Sequence, residues 1–527
     1  MERRKQGGIK NMAKDYPNLP GVNINIEDGN LTTTTTRSAN SVLIIANAVT
    51  NKEVPEGPIY VSNQQDLYDK FGGFFHMGQI NPIAAQWLVA YRAGVTNIYL
   101  MALKGDDKEA QFIDLYKKLY DTVADLQVSH IVLDGLYADD DIAGLTKEAF
   151  TEAGVIDVAL PTYQVFTAAT APSTIVEDEV DGEFAKLTIT PKSGEPAITV
   201  SLPAGEVDIA SINTQIKEAL QINSLHLDGE ARLNEGNVEL TFTAPVTLAG
   251  ENALSALGLT DAVANEEISG SPASLLANYV EGVSEELGGT LGYIGTSTPA
   301  SYDLVGLKNH VDKLLAVDTQ ISPYLQIVAG PELGITVPGS LRRQWISGVT
   351  HYAVLVNSLL PQFVPTNQPL LGNAQMRYAF SPRQQNALVG HKYVCYSNKN
   401  QQIRVVDGVT TAPDLAIGED TIKSDFTRIS TIRIVNYMIQ RMRYALEPFI
   451  GAPNEFYNYN GMNTAIRAEL DDAVERGVIQ DATYTIRLGS SLDTAEVDLQ
   501  ILPQFELRVI DVTVALARPE GFINVSE

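Results

Sequence analysis

The sequence holds six histidines, His76, His130, His226, His310, His351 and His391, and one cysteine, Cys395. No two of the histidines are spaced as a ligand pair, and one thiol gives neither an internal disulfide framework nor a cysteine zinc site. Cys395 reads as a buried free thiol. The motifs HExxH, CxxC, GxxxxGK[ST] and GxGxxG are absent. A serine nucleophile is offered only by Gly295-Thr296-Ser297, which continues Thr298-Pro299-Ala300 with no His-Gly-Thr-His segment to supply a base, so a strand-end turn is favoured. Asp139-Asp140-Asp141 lacks the glycine and glutamate of a calcium loop and reads as a loop leading into a helix. No catalytic residue, metal or cofactor is expected. Arg428, Arg433, Arg441 and Arg443 stand on one helix-forming stretch of an acidic chain. A solvated helix face is the plain reading of them, and a contact for an acidic partner is the alternative.

The scaffold behind these residues is large. At 527 residues, with 44% apolar and 19% charged residues, 40 Gly and 25 Pro, the chain is globular rather than disordered, collagen-like or coiled-coil. At about 150 residues per domain it holds three or four domains, or two with a large insertion. Its 37 basic against 64 acidic residues give a formal net charge of −27, which repels nucleic acid and anionic lipid. No apolar run approaches the ~20 residues that span a bilayer. The basic start, with Arg3, Arg4, Lys5 and Lys10, runs into Asp15-Tyr16-Pro17 and not into an apolar signal region. Gly7-Gly8 can be encoded by a ribosome-binding sequence followed by three codons and then Met12, so residues 1–11 are expected to be a translated leader with Met12 as the natural start.

Charge locates a module boundary. Residues 171–270 carry 4 basic and 17 acidic side chains, net −13, almost half the total, between small-residue linkers. This stretch is expected to be an acidic, solvent-facing α+β insertion, with a hairpin at 185–190 and 197–202, a helix at 212–220 and a strand at 238–242. On either side of it strands alternate with helices. Strands are expected at 41–46, 59–61, 97–103, 130–133, 289–295 and 324–329, and helices at 82–93, 108–126, 145–153, 274–287, 302–316 and 341–359. The fold class is therefore α/β, a sheet layered by helices, over 41–170 and 271–380. Residues 381–517 form a C-terminal domain with a long helix at 424–446, a second at 462–476 ended by Gly477, and strands at 403–406, 484–488, 497–501 and 505–516.

The two ends are extended. Pro20-Gly21-Val22-Asn23-Ile24-Asn25-Ile26-Glu27 alternates apolar and polar residues, and Gly521-Phe522-Ile523-Asn524-Val525-Ser526 follows the strand-breaking Pro519. As arms over 12–40 and 518–527, Val22, Ile24, Ile26, Phe522, Ile523 and Val525 can add as strands to a neighbour's sheet edge or dock on their own chain.

Several segments together resemble the contractile tail sheath proteins of bacteriophages. They are Pro20-Gly21-Val22 through Glu27, residues 59–72, Tyr91-Arg92-Ala93-Gly94, Ser347-Gly348-Val349, Pro365-Thr366-Asn367-Gln368-Pro369, residues 406–412, residues 430–437 and Pro448-Phe449-Ile450-Gly451. Each is weak alone, and their order over some 400 residues is specific. The resemblance implies an α/β core, often called subtilisin-like in that family, with a C-terminal sheath domain and no enzymatic activity. Gly295-Thr296-Ser297 is similar to a subtilisin serine loop but lacks the residues that follow it there. The implied function is mechanical: hexameric rings stack as a helix around a tail tube, arms complete sheets in neighbouring subunits, and contraction drives the tube through a cell envelope. The implied partners are further copies of the chain, the tube protein, and baseplate and terminator proteins, with neither nucleic acid nor membrane insertion. The implied location is the contractile tail of a virion, and the host cytoplasm during assembly. Arg428, Arg433 and Arg441 are then the expected tube-facing residues. Sheaths of R-type bacteriocins or type VI-like injection systems stay open as alternatives, and a flagellin-like filament or a hydrolase on a subtilisin-like scaffold fits less well.

Overall fold

A computed structural model describes residues 41–505 except 106, 124, 125, 127, 141, 146, 156–161, 169–171, 173–184, 192–196, 203–207, 224–226, 228, 235, 236, 244, 245, 250, 260–263, 287, 288, 373, 418, 419, 454 and 489–494. The leader, both arms with Val22, Ile24, Ile26, Phe522, Ile523 and Val525, and all but the first residue of the strand expected at 505–516 lie outside the described residues.

The apolar runs of the α/β part become the inner strands of one seven-stranded sheet. Its spatial order is Ile59–Tyr60, Asn97–Leu103, Ser41–Asn47, His130–Leu133, Leu291–Gly295, Leu325–Val328, Tyr393–Val394. Only the edge strand Ile59–Tyr60 is antiparallel to its neighbour. Parallel strands are covered on both faces, which is why Ser-Val-Leu-Ile-Ile-Ala-Asn is almost wholly buried and shows no alternation. Successive residues of one strand show the two helix layers. Gly292 faces Leu276 and Val280 of the helix Pro272–Glu286, whereas Tyr293 meets Tyr352 of the helix Val349–Ser358 edge-on at 5.8 Å. From Ser41–Asn47 the chain builds first toward Asn97–Leu103 and then back through His130–Leu133 to the far edge. The sheet thus has a topological switch point beside its first strand.

The expected helix at 341–359 is corrected. Residues Gln344–Ile346 form a strand against Leu333–Ile335, and the helix runs only over Val349–Ser358. Gly348 carries the break, because a Cβ there would stand 2.6 Å from the Tyr396 ring. The helix expected at 145–153 begins later, at Lys147, because Ile142–Leu145 is a strand.

The acidic segment folds around a core of its own, with Leu187, Ile189, Val200, Ile216, Leu240 and Phe242 buried. The hairpin pairs Ala185–Pro191 with Ile198–Leu202, and the helix spans Ile209–Asn223. A five-stranded sheet beside it also takes in Ile142–Leu145 and Thr162–Thr167 from before the segment.

The C-terminal part is two helices, Ile429–Leu446 and Phe456–Glu475, and a ribbon of two strands, Ile479–Leu488 and Ala495–Pro503. The long helix belongs to two cores at once. Ile429, Ile432, Val435 and Ile439 pack into the core around the large sheet, while Ile434, Met438 and Met442 pack with Ile466, Leu470 and the ribbon. Its apolar surface is therefore two adjoining stripes rather than one face.

Candidate functional site

Ser297 follows the strand Leu291–Gly295 at the carboxyl edge of the large sheet. Its hydroxyl and backbone N–H donate to Asp139, and Lys313 Nζ donates to the same carboxylate at 2.6 Å. Burial pushes the Asp139 carboxyl up, but Lys313 and the two Ser297 donors outweigh it and hold the group below its ordinary value. An ammonium held on a carboxylate cannot take a proton from Ser297. Among the described histidines, His130 bonds Tyr293, His391 bonds the Val317 carbonyl, His76 lies on the strand Phe75–His76, His351 is buried, and His310 is buried near enough to Asp139 and Lys313 to feel both charges. The Ser297 turn is thus a strand end whose hydroxyl is spent on an ion-paired carboxylate. The Cys395 thiol is fully buried and pushed up to about 12 by that burial, which leaves it unreactive. Among the described residues no three His, Cys, Asp or Glu side chains stand together to hold a metal.

The segments that carry the sequence resemblance meet in space. Asp407 is buried, and accepts from Arg428 Nη1 at 2.7 Å and from the Thr366 hydroxyl at 3.0 Å. Asn367 N–H donates to the Val405 carbonyl, and Gly408 lies where a Cβ would stand 2.6 Å from Pro365. Pro-Thr-Asn, Asp-Gly and the start of the long helix are one joint, locked by a charge-assisted hydrogen bond.

Arg433 and Arg441 of that helix are also engaged. Arg433 donates to the backbone carbonyls of Leu359 and Phe363, and its burial lowers it to about 10. Arg441 pairs with Glu469 and with Asp472, the latter at 2.6 Å, tying the two C-terminal helices together. Each of Arg428, Arg433 and Arg441 thus has partners within the chain.

The ribbon has two unlike faces. Ala482↔Ile501, Tyr484↔Leu499 and Ile486↔Val497 stand opposite one another and half-buried on the helices, while Thr483↔Gln500, Thr485↔Asp498 and Arg487↔Glu496 form the other face. Arg487 Nε meets Glu496 at 2.9 Å and Arg487 Nη2 meets Asp498 at 3.1 Å. Among the described residues each strand has one neighbour only, and the outer edge of each pairs with no described strand. Two strands alone are marginal, and open edges of this kind accept further strands.

Sequence reasoning missed a cleft at the switch point, of about 170 Å³, lined by Asn47, Asp134, Tyr137, Thr296, Trp345 and Tyr378 among others. The available signal was Asp134-Gly135 immediately after an apolar strand, the place where open α/β sheets hold ligands.

No protein-family profile and no curated relative matches the sequence. Solved structures do. A chain of the cryo-EM structure of the anti-feeding prophage (AFP) baseplate is similar at TM-score 0.50 and 11% identity, over 95% of this chain and 99% of that one. The PVC sheath complex of an extracellular contractile injection system, in contracted state, is similar at TM-score 0.47 and 11% identity, over 94% and 98%. The sheath tail protein Lin1278 from Listeria innocua follows at TM-score 0.38 and 11% identity, over 89% and 93%. At such identities the likeness is one of fold, and the fold of this chain is, over nearly its whole length, that of the AFP baseplate protein.

Proposed function

We propose that the chain is the sheath subunit of a contractile tail, a structural protein that polymerises around a tube and shortens to drive it forward. The observation that carries this is the fold shared with the AFP baseplate chain over 95% of the sequence, and the order of the segments that resemble tail sheath proteins supports it. The ribbon supplies the means. Its open edges suit strands added by the arms of neighbouring copies, Val22, Ile24 and Ile26 from one and Phe522, Ile523 and Val525 from another, with main-chain bonds giving strength and alternate side chains giving register. Such a contact is heterologous and does not close on itself, so it generates a helix of subunits. Hexameric rings, the tube, baseplate and terminator partners, the virion location and assembly in the host cytoplasm belong to this reading. So does the division into a core at 41–170 and 271–380, an outward insertion at 171–270 and a sheath domain at 381–517. The sheath of a related injection system is the second reading, favoured by the AFP likeness itself.

Arg428, Arg433 and Arg441 are proposed as the tube-facing side. Arg441, whose side chain keeps 31% of its exposure, is the one to test. Arg441→Glu that leaves tube binding unchanged removes that surface. The arms are tested by deleting 13–37 or 517–527. Sedimentation should show loss of polymers with the core's melting transition retained, and normal polymers from both deletions would contradict the arm mechanism.

A further inference from the structure

The cleft at the switch point has an unbalanced charge. Four carboxylates stand in or beside it, and three have a cation. Asp139 has Lys313, Asp140 has Lys108, and Glu332 has Arg377 at 2.9 Å. Asp134, 7% exposed, accepts only from Gln86 Nε2, at 2.6 Å, and a backbone N–H, and among the described residues no cation reaches it. A buried carboxylate without a counter-charge is costly.

Two further oxygens in the cleft have no partner among the described residues. Thr296 is 6% exposed, and its hydroxyl makes no hydrogen bond; the Asn47 Oδ1 atom makes none either. Register explains their company. Val42–Ile45 pairs with His130–Leu133 and the latter with Leu291–Ile294, so Asn47, Asp134 and Thr296 emerge at neighbouring strand ends. Glycines keep the space clear. A Cβ at Gly135 would stand 2.9 Å from the Asn47 amide, at Gly295 2.9 Å from the Ser347 hydroxyl, and at Gly330 2.5 Å from the Tyr378 hydroxyl. The outer walls are the rings of Tyr137, Trp345 and Tyr378.

We propose that this cleft binds a primary ammonium group on a short alkyl chain. The head forms an ion pair with Asp134 and donates its remaining N–H bonds to Asn47 Oδ1 and Thr296 Oγ1, which matches three donors to three acceptors. Lys108 and Arg377 already lie over the Tyr137 and Trp345 rings, at 5.8 and 5.7 Å, so the walls serve the alkyl stem as apolar surface, which suits an organic cation better than a hydrated metal ion. Burial raises Asp134 above its ordinary value, and a bound ammonium supplies the charge that offsets this. A free alkylamine and a lysine side chain offer the same chemistry.

The test is a thermal-unfolding titration of the full chain with n-butylammonium, Nα-acetyl-lysine amide, tetramethylammonium, magnesium chloride and sodium chloride. The proposal expects a saturable rise in midpoint with n-butylammonium that neither sodium chloride nor tetramethylammonium, which has no N–H donor, reproduces. Asp134→Asn should weaken it roughly tenfold or more, and Thr296→Val several-fold. Binding of both amines identifies a lysine-accepting site, and binding of n-butylammonium alone a site for small amines. An equal rise with tetramethylammonium or sodium chloride, an undiminished rise in Asp134→Asn, or saturable binding of magnesium alone would overturn the proposal. Should Asp134→Asn not fold, the comparison of n-butylammonium with tetramethylammonium on the native chain still decides.

Discussion

Single residues fix the joints of this molecule. Asp407 and Arg428 join three segments, and removing the arginine takes the cation from a buried carboxylate that the Thr366 hydroxyl and the Gly408 N–H also contact. Arg428→Met should destabilise the chain by about 3 kcal/mol, read as a lower denaturant midpoint, and Asp407→Asn by less. His351 makes a pH prediction. Burial depresses it to about 4, so the folded chain holds it neutral while the unfolded chain protonates it near 6.5. The unfolded state then binds more protons between those values, and stability falls as pH drops from about 6.5 toward 4, by up to about 1.4 kcal/mol per unit. His351→Gln should remove this component, and an unchanged pH slope in the variant would refute the assignment. These contacts were not legible in the sequence, since Thr366, Asp407 and Arg428 are polar residues far apart along it. Cys395 was legible, because a lone thiol in an apolar stretch has little else to do.

At the scale of elements, the apolar runs at 97–103 and 130–133 define their strands to the residue, because burial on both faces selects continuous hydrophobicity. Failures came where local pattern met tertiary demand. Residues Gln344–Ile346 precede the apolar stretch 352–356 and read as the start of its helix, yet they pair with Leu333–Ile335, and that partner lies outside any local window. The long helix was legible as amphipathic but not as shared between two cores, since Ile434 and Met438 sit beside the main stripe and only packing separates them. That sharing predicts a separable pair of effects. Met438→Ala and Ile432→Ala should each cost roughly 2–4 kcal/mol. Hydrogen exchange should rise in 479–503 for Met438→Ala and in the large sheet for Ile432→Ala; the same pattern from both would deny the two-core description.

For the whole molecule, we propose that the α/β body carries a ribbon whose edges, unpaired among the described residues, take up the extended ends of neighbouring copies. The strand–helix rhythm made the α/β body visible in the sequence, and the charge imbalance marked the segment with a core around Leu187, Ile216 and Leu240, but not that its five-stranded sheet takes in Ile142–Leu145 and Thr162–Thr167. The ribbon's pairing was hidden, because which strands a strand lacks beside it is set by packing and not by its own residues. A polymer able to shorten needs links that survive while bodies slide and rotate, and a barrier between two packings; arms seated on a ribbon meet the first need. The most direct measurement is negative-stain electron microscopy of the purified, tag-free chain beside one truncated after Ala517. The account predicts hollow helical tubes from the full chain and dispersed subunits from the truncated one. Closed dimers or rings that never stack from the full chain, or the same tubes from both, would contradict it.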